Sequence, residues 1–479
     1  MFRRIYSWLP GFIKRPLKFI ATSPKRLYKH FNIKRKLRII RYFFDFIALL
    51  VIRKITVREL ISLMPIVGKR FMKVRDAINE NIIKKTMQQQ PITASDLMCV
   101  VSFKFMNQKE KNITDCICDA INSKELKEEY KQKVEQIKEM LEIEIANLSA
   151  LWLTDIESVA IAGCLYVLAY DIRAISVRKI LKYYESKNKV RYLDTKKLYS
   201  IYFNKGEYEK AKNIIKKAGM VWRRHNYGDI DLMFAITNIK EQGLQALNNI
   251  SNNTNGSNKV FAETIKNKKI ALIGPAANTL NIEEIANSYD IKVNMTYQGK
   301  EHLSDSIKQC GIDISYYNVQ HVDKFINNNK NMEFFNDLKM AAFKGIKHNI
   351  QKKLVQKKRA RRLCINNIGI LMYQGAGNMA QLTLIDLMLF SPAKIKLYNI
   401  NLFLSKQAEA YHKGYYNDNA GWNLEELWRS DSSKHNLISN YELLQALYRL
   451  GCFEADEKLA EIIALGAREY MQQLEILRS

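Results

Sequence analysis

The sequence predicts an α/β protein in which a Rossmann-like, mostly parallel sheet domain follows a helical half. Three observations carry that prediction. Lys268–Asn294 sets an apolar run, Ile270–Ile273, before Gly274-Pro275-Ala276-Ala277-Asn278, then a short amphipathic segment and a second apolar run. That order is strand, tight turn, helix, strand. Downstream, strand candidates at Ile312–Tyr317, Leu363–Leu371 and Lys394–Ile400 alternate with helical stretches, the pattern of a parallel sheet. Upstream, residues 87–246 keep helical spacing almost throughout.

Composition bounds the function. With 479 residues, 47% hydrophobic and 26% charged, the chain has room for two or three domains and a globular core. The formal net charge is +28, and thirteen Lys or Arg fall from Arg3 to Arg41 while no acidic residue precedes Asp45. Residues 1–86 interleave those cations with Trp8, Phe12, Ile20 and other apolar residues. This spacing suits an interfacial helix on an anionic membrane surface. A solvated basic face on a packed helix is the alternative. Nucleic acid is not expected as a partner, since no zinc-finger, RRM-like or helix-turn-helix signature occurs. The most apolar run, Tyr42–Ile52, is about half a membrane span and contains Asp45. No secretory signal is evident. Seven irregularly spaced cysteines make no disulfide framework, which fits a reducing, cytoplasmic compartment.

Within the helical half, Leu198–Ala211 resembles the end of one tetratricopeptide repeat and its connection to the next, with Gly206 at the turn and Tyr208 and Ala211 between helices. Leu165–Ile175 is a looser echo about one repeat earlier. A plain helical bundle is the alternative. Leu247–Lys259, rich in Asn, Ser and Gly, is the expected linker. The expected segments are therefore a basic region (1–86), a helical domain (87–246), the linker (247–259) and the sheet domain (260–479). After Tyr317 the chain has helical character to about Lys358, followed by a basic cluster, Arg359–Arg362. Gly375-Ala376-Gly377 opens a helix to about Phe390, and from Asn423 helices run to the end. Sites in parallel sheets lie at the carboxyl ends of strands, which brings Gly274, Asn294, Asn318, Gly375 and Asn401 towards one crevice.

The ordered motifs over 268–440 resemble the bacterial sialyltransferases that use CMP-sialic acid and, more distantly, the animal ones. A Gly-Asn-Gly-x-Ser-like turn after the first strand is matched by Gly274–Asn278. An Arg-x-Asn is matched by Lys292-Val293-Asn294, and a Tyr-Asn by Tyr317-Asn318. Gly375-Ala376-Gly377 stands in the place of Thr-Ser-Gly, Asn399–Phe403 in that of Gly-x-Asp-Phe, and His435 in that of a late histidine. The resemblance implies a metal-independent, inverting transfer of a CMP-activated sialic acid or Kdo-like sugar onto a bacterial surface glycan. The implied partners are a nucleotide-sugar donor, a glycan or lipid-linked acceptor and the inner face of the cell membrane, with no cofactor.

Residue chemistry is compatible with that reaction. Asn278, Asn294 and Asn318 offer neutral amides for ribose, phosphate and sugar. Tyr411, Tyr415 and Tyr416 offer hydroxyls to a departing phosphate, packing at a domain edge being the alternative. A histidine titrates near neutrality and suits a general base. His435 is the candidate, with His412 second. Gly375, Ala376, Gly377, Gly274 and Asn401 complete the expected donor site. Asp229-Ile230-Asp231 spells a metal-binding Asp-x-Asp, but it follows helical sequence, where two aspartates at a helix start are expected. A non-catalytic membrane-associated helical-repeat adaptor with a decayed nucleotide-binding domain is the alternative function, because Ala276, Ala277 and the missing serine depart from the family pattern. The basic arm predicts co-sedimentation with anionic liposomes that weakens as salt screens the charge and disappears when residues 1–41 are removed.

Overall fold

The computed structural model describes residues 69–98, 101–104, 106–124, 126–247, 250, 256–276, 281–303, 305–318, 322, 333–365, 368–405 and 435–478. The basic arm lies outside them. Among the described residues no helix is long and apolar enough to cross a membrane.

Residues 74–479 form one compact unit. The described helices include α1 (Lys69–Met87), in which the unit begins, then α2 (Gln108–Asn122), α3 (Lys127–Ile143), α4 (Ala150–Ala162) and α5 (Tyr166–Lys187). Next come α6 (Thr195–Asn204), α7 (Tyr208–Lys217), α8 (Tyr227–Gln242) and α9 (Gly256–Ile265). Local chemistry explains their ends. Asn107 caps α2 by accepting from Glu110 N, while the Glu110 carboxylate returns to Asn107 N at 3.1 Å. Gly206, at φ +77°, makes the α6–α7 turn, and Tyr208 then packs edge-on against Phe203. Asp229 falls in the first turn of α8, half-buried, and Asp231 is exposed. The expected linker is partly helical: α9 starts at Gly256, and its Phe261 packs against Phe390.

Among the described residues seven strands form one parallel sheet: β1 (Lys269–Ile273), β2 (Ile291–Met295), β3 (Ile314–Tyr317), β4 (Met340–Phe343), β5 (Ala360–Arg362), β6 (Lys394–Tyr398) and β7 (Glu454–Ala455). Their order is β5-β4-β3-β2-β1-β6-β7. Helices α10 (Ile282–Ser288), α11 (Asp305–Cys310) and α12 (Asn349–Gln356) connect the first five strands. Helix α13 (Met379–Met388) leads into β6, and α14 (Leu437–Arg449), α15 (Glu457–Ala464) and α16 (Ala467–Arg478) follow it. One sheet face, with Ala271, Ile273 and Tyr317, packs on Ile285 and Ile307 of α10 and α11. The other, with Ile270, Leu272 and Leu397, shares a continuous apolar core with α13, α14 and buried residues of the helical half such as Trp152, Leu168 and Tyr199. Right-handed crossovers account for that division, because the chain moves one way from β1 to β5 and reverses to lay β6.

The sheet corrects three expectations. β4 lies in a stretch expected to be helical, because Met-Ala-Ala-Phe has no β-branched residue and is a strand only through pairing with β3 and β5. A strand expected over Leu363–Leu371 is instead β5, three residues earlier, with a 3-10 turn at Ile368–Leu371. β7 interrupts the expected all-helical C-terminus. The basic cluster Arg359–Arg362 is divided, with Arg362 exposed and Arg361 in the core. Arg361 is fully buried, ion-paired to Asp386 of α13 and flanked by the rings of Phe261 (4.1 Å) and Phe390 (4.8 Å). Breaking a buried pair strands a charge, so Asp386→Ala is expected to lower urea-unfolding stability by about 3–5 kcal/mol. The double change Arg361→Met/Asp386→Leu is expected to cost clearly less.

Candidate functional site

Loops leaving β1 and β6 part towards opposite faces of the sheet, and this switch point is where parallel sheets open a crevice at their carboxyl ends. Here the two loops are pressed together. Gly274 N donates to Tyr398 O at 2.7 Å and Ala276 N to Asn399 O at 3.1 Å. A Cβ on Gly274 would lie 2.3 Å from Asn399 O, so the glycine is required by backbone-to-backbone packing. Helix α10 is anchored beneath, where the Glu284 carboxylate accepts from both Lys396 Nζ and Tyr398 OH at 2.6 Å.

The loop after β6 is strained. Asn399, Leu402 and Phe403 hold φ values of +54°, +47° and +69°, a region non-glycine residues seldom occupy. Clamps from the C-terminal helices hold it: Tyr470 OH donates to Leu402 O at 2.6 Å, Arg478 Nη2 to Ser405 O at 3.0 Å, and Asn399 N to Asp456 Oδ2 at 2.8 Å. The Asn401 side chain turns back on its own loop, accepting from Phe403 N and donating to Ser405 Oγ. Asn294 sits in β2 beside Ile273 and Ser315, 5% exposed, and its Oδ1 has no hydrogen-bond partner among the described residues. Asn318 is half-buried at the end of β3.

The second cluster joins two motifs far apart in sequence. Gly375, at φ +81°, packs so closely under Asn436 that a Cβ would meet Asn436 Cβ at 2.6 Å. His435 Nδ1 lies 3.3 Å from Ala376 O, across 59 residues of chain. Asn440 fixes the same loop, with Nδ2 donating to Ala376 O at 3.0 Å and Oδ1 accepting from Asn378 N at 2.8 Å. When Nδ1 carries the proton, the Ala376 contact is a hydrogen bond and Nε2 holds the lone pair a base needs. Gly377 is filled by Ile368, whose Cδ1 would be 2.2 Å from an added Cβ. Gln374, 5% exposed, buries an amide with neither end partnered among the described residues.

Beneath this cluster lies an ion pair that sequence reasoning missed. Arg173 of α5 donates Nε and Nη2 to both oxygens of Glu157 on α4, at 2.8 and 2.6 Å. The same guanidinium reaches Asn436 Oδ1 at 3.0 Å and Ser439 Oγ at 3.1 Å, and stacks 4.0 Å over the Tyr373 ring. Burial opposes the charge on Arg173, but Glu157 outweighs it and holds the guanidinium protonated. One signal was available: Glu157 stands in α4, a helix buried over nearly its whole surface, where a charge requires a partner. Lys197 also faces the Tyr373 ring, at 4.8 Å.

Asn278, Tyr411, Tyr415, Tyr416 and His412 lie outside the described residues. The structure therefore joins Gly274 with the Asn399–Asn401 loop, and Gly375–Gly377 with His435. No protein-family model matches the chain, and neither a curated protein nor a solved structure matches it.

Burial pushes the Lys197 ammonium from 10.5 down to about 8. Because the folded value is the lower one, the unfolded chain binds more protons between these values, and this group's contribution to stability rises with pH across that window. Urea midpoints measured from pH 7 to 10.5 are expected to rise for the native protein relative to Lys197→Met, with no relative change below pH 7.

Proposed function

We propose that this protein is a metal-independent, inverting glycosyltransferase that moves a CMP-activated sialic acid or Kdo-like sugar onto a bacterial surface glycan. The contact of His435 with the Ala376 loop carries the proposal, since two separate motifs of the resemblance to sialyltransferases meet there. In this mechanism His435 Nε2 takes the proton of an acceptor hydroxyl as its oxygen bonds to the anomeric carbon. The anomeric C–O bond to phosphate breaks on the opposite side, and CMP leaves with the electron pair. CMP is a phosphate monoester, so hydrogen-bond donors suffice to stabilise it without a divalent metal. Asn294 and Asn318 supply neutral amides for the donor. The helical half, with its tetratricopeptide-like turn at Gly206, holds the acceptor, and the basic arm keeps the enzyme at the inner face of the membrane.

One observation favours a second reading, a membrane-associated adaptor without catalysis. The hollows that Gly274, Gly375 and Gly377 would offer to a ligand are filled by Asn399, Asn436 and Ile368.

Melting temperature separates the two, because a ligand that binds only the folded state raises it by mass action. The transferase reading expects a rise with CMP that survives EDTA and exceeds that with UDP or GDP. His435→Ala is expected to keep the CMP response while turnover falls by roughly two to four orders of magnitude. No nucleotide response would favour the adaptor, and unchanged turnover would remove His435 as the base.

A further inference from the structure

The flank of the sheet beyond β4 carries charge that its own residues do not balance. From Leu338 to Ile385 the sequence holds ten Lys or Arg and no Asp or Glu. β5 is the outermost strand on that side, and α12 packs beside it. Lys352, Lys353, Lys357, Lys358 and Arg362 are exposed there, and none of the five makes an ion pair among the described residues. Exposed lysines on other helices do: Lys131 pairs with Glu128, Lys210 with Glu207, Lys308 with Asp305 and Lys458 with Glu461. Lys353 and Lys357 even stand four residues apart, a repulsive spacing for like charges on a helix. Burial pushes the half-buried Lys344 ammonium below its usual range, and it too has no ion-pair partner among the described residues. Arg359, by contrast, spends its guanidinium on the carbonyls of Asn336 and Leu338.

The unpaired cations form a row that starts on the crevice side of the sheet. Lys344 follows β4 and Arg362 ends β5, so both stand at the carboxyl ends of their strands. Helix α12 runs back from there over about 12 Å, with Lys352 and Lys353 along it and Lys357 and Lys358 just past its end. Lysine supplies a hydrated point charge, whereas nucleic-acid phosphates are matched best by the planar fork of arginine, and Arg362 is the one exposed arginine of the row. No large apolar side chain is exposed between residues 256 and 365 among those described. An interfacial helix needs such residues to enter lipid, and single-stranded nucleic acid needs exposed rings to stack its bases. The apolar residues of α12, Ile350, Leu354 and Val355, face the sheet instead. A flexible, hydrated polyanion is the partner this row complements. We propose that the α12 flank docks an acidic polysaccharide through its carboxylates. Resting on the transferase reading, that polymer is the acceptor. Its end lies at the switch point beside β1, four strand spacings or about 19 Å from β5, and its tail lies along α12.

The test uses the full chain and a flank variant carrying Lys352→Gln, Lys353→Gln, Lys357→Gln and Lys358→Gln. A control of equal net charge carries Lys131→Gln, Lys210→Gln, Lys308→Gln and Lys458→Gln. All eight positions are exposed, and the basic arm common to the three proteins cancels in the comparison. The probes are polygalacturonate, neutral dextran, poly(U) and phosphatidylglycerol vesicles. The flank variant is expected to bind polygalacturonate about tenfold or more weakly than the control, with a shallower salt dependence. None of the proteins is expected to bind dextran. Equal affinity of the two variants for polygalacturonate overturns the proposal. A larger loss on poly(U) or on vesicles gives the flank to nucleic acid or membrane and overturns it as well. The rise in melting temperature with CMP is followed in parallel. If CMP binds and the two variants hold polygalacturonate alike, the inference fails alone. If the flank effect is present and CMP does not bind, the transferase reading fails instead, and the flank is a polysaccharide surface without an acceptor role.

Discussion

The geometry around His435 depends on the Arg173–Glu157 ion pair. A guanidinium cannot shed its charge at accessible pH, so a residue 2% exposed needs its counter-charge in contact. Glu157 takes two of the donors, and the rest reach Asn436, Ser439 and Glu442. Asn436 is left-handed, and its side chain is shared between Arg173, Glu157 and the amide of Ser439 that starts α14. Ser439 Oγ in turn accepts from Gln374 N. One buried charge thus fixes the turn before α14 and the loop before α13, the two segments that bring His435 to Ala376. Residues of the helical half are in this sense part of the site.

The switch point works by compression. Gly274 allows the β1 loop to touch the β6 loop, and strain at Asn399, Leu402 and Phe403 is held by hydrogen bonds from α16. The glycines there serve chain packing. Asn294 Oδ1 and the Gln374 amide are buried polar groups without a hydrogen-bond partner among the described residues.

Much of the fold was legible in the chain. Ile270–Ile273 and Lys394–Tyr398 are apolar, β-rich runs beside turn residues, and both are strands. The α6–α7 turn at Gly206 follows from a residue that adopts positive φ without penalty. β4 and β5 were not legible, because Met-Ala-Ala-Phe and Ala-Arg-Arg have no intrinsic strand preference and take their state from neighbours. The burial of Arg361 was not legible for the same reason: only the fold shows that Asp386 lies within reach. Of the candidate site, sequence order brought forward Gly274, Gly375 and His435; Glu157 is marked only as a charge in a largely apolar helix, and Arg173 and Gln374 carry no local mark of their roles.

By itself the sequence determined the alternation of strands and helices, the capped helix starts and the basic arm, because these depend on side-chain periodicity and neighbours a few residues away. Tertiary structure alone decided the strand order, the partner of each buried charge and the meeting of His435 with Ala376. Those outcomes are long-range: which of several cations is desolvated, and which carboxylate compensates it, depends on surfaces that exist only once the helices and the sheet have packed.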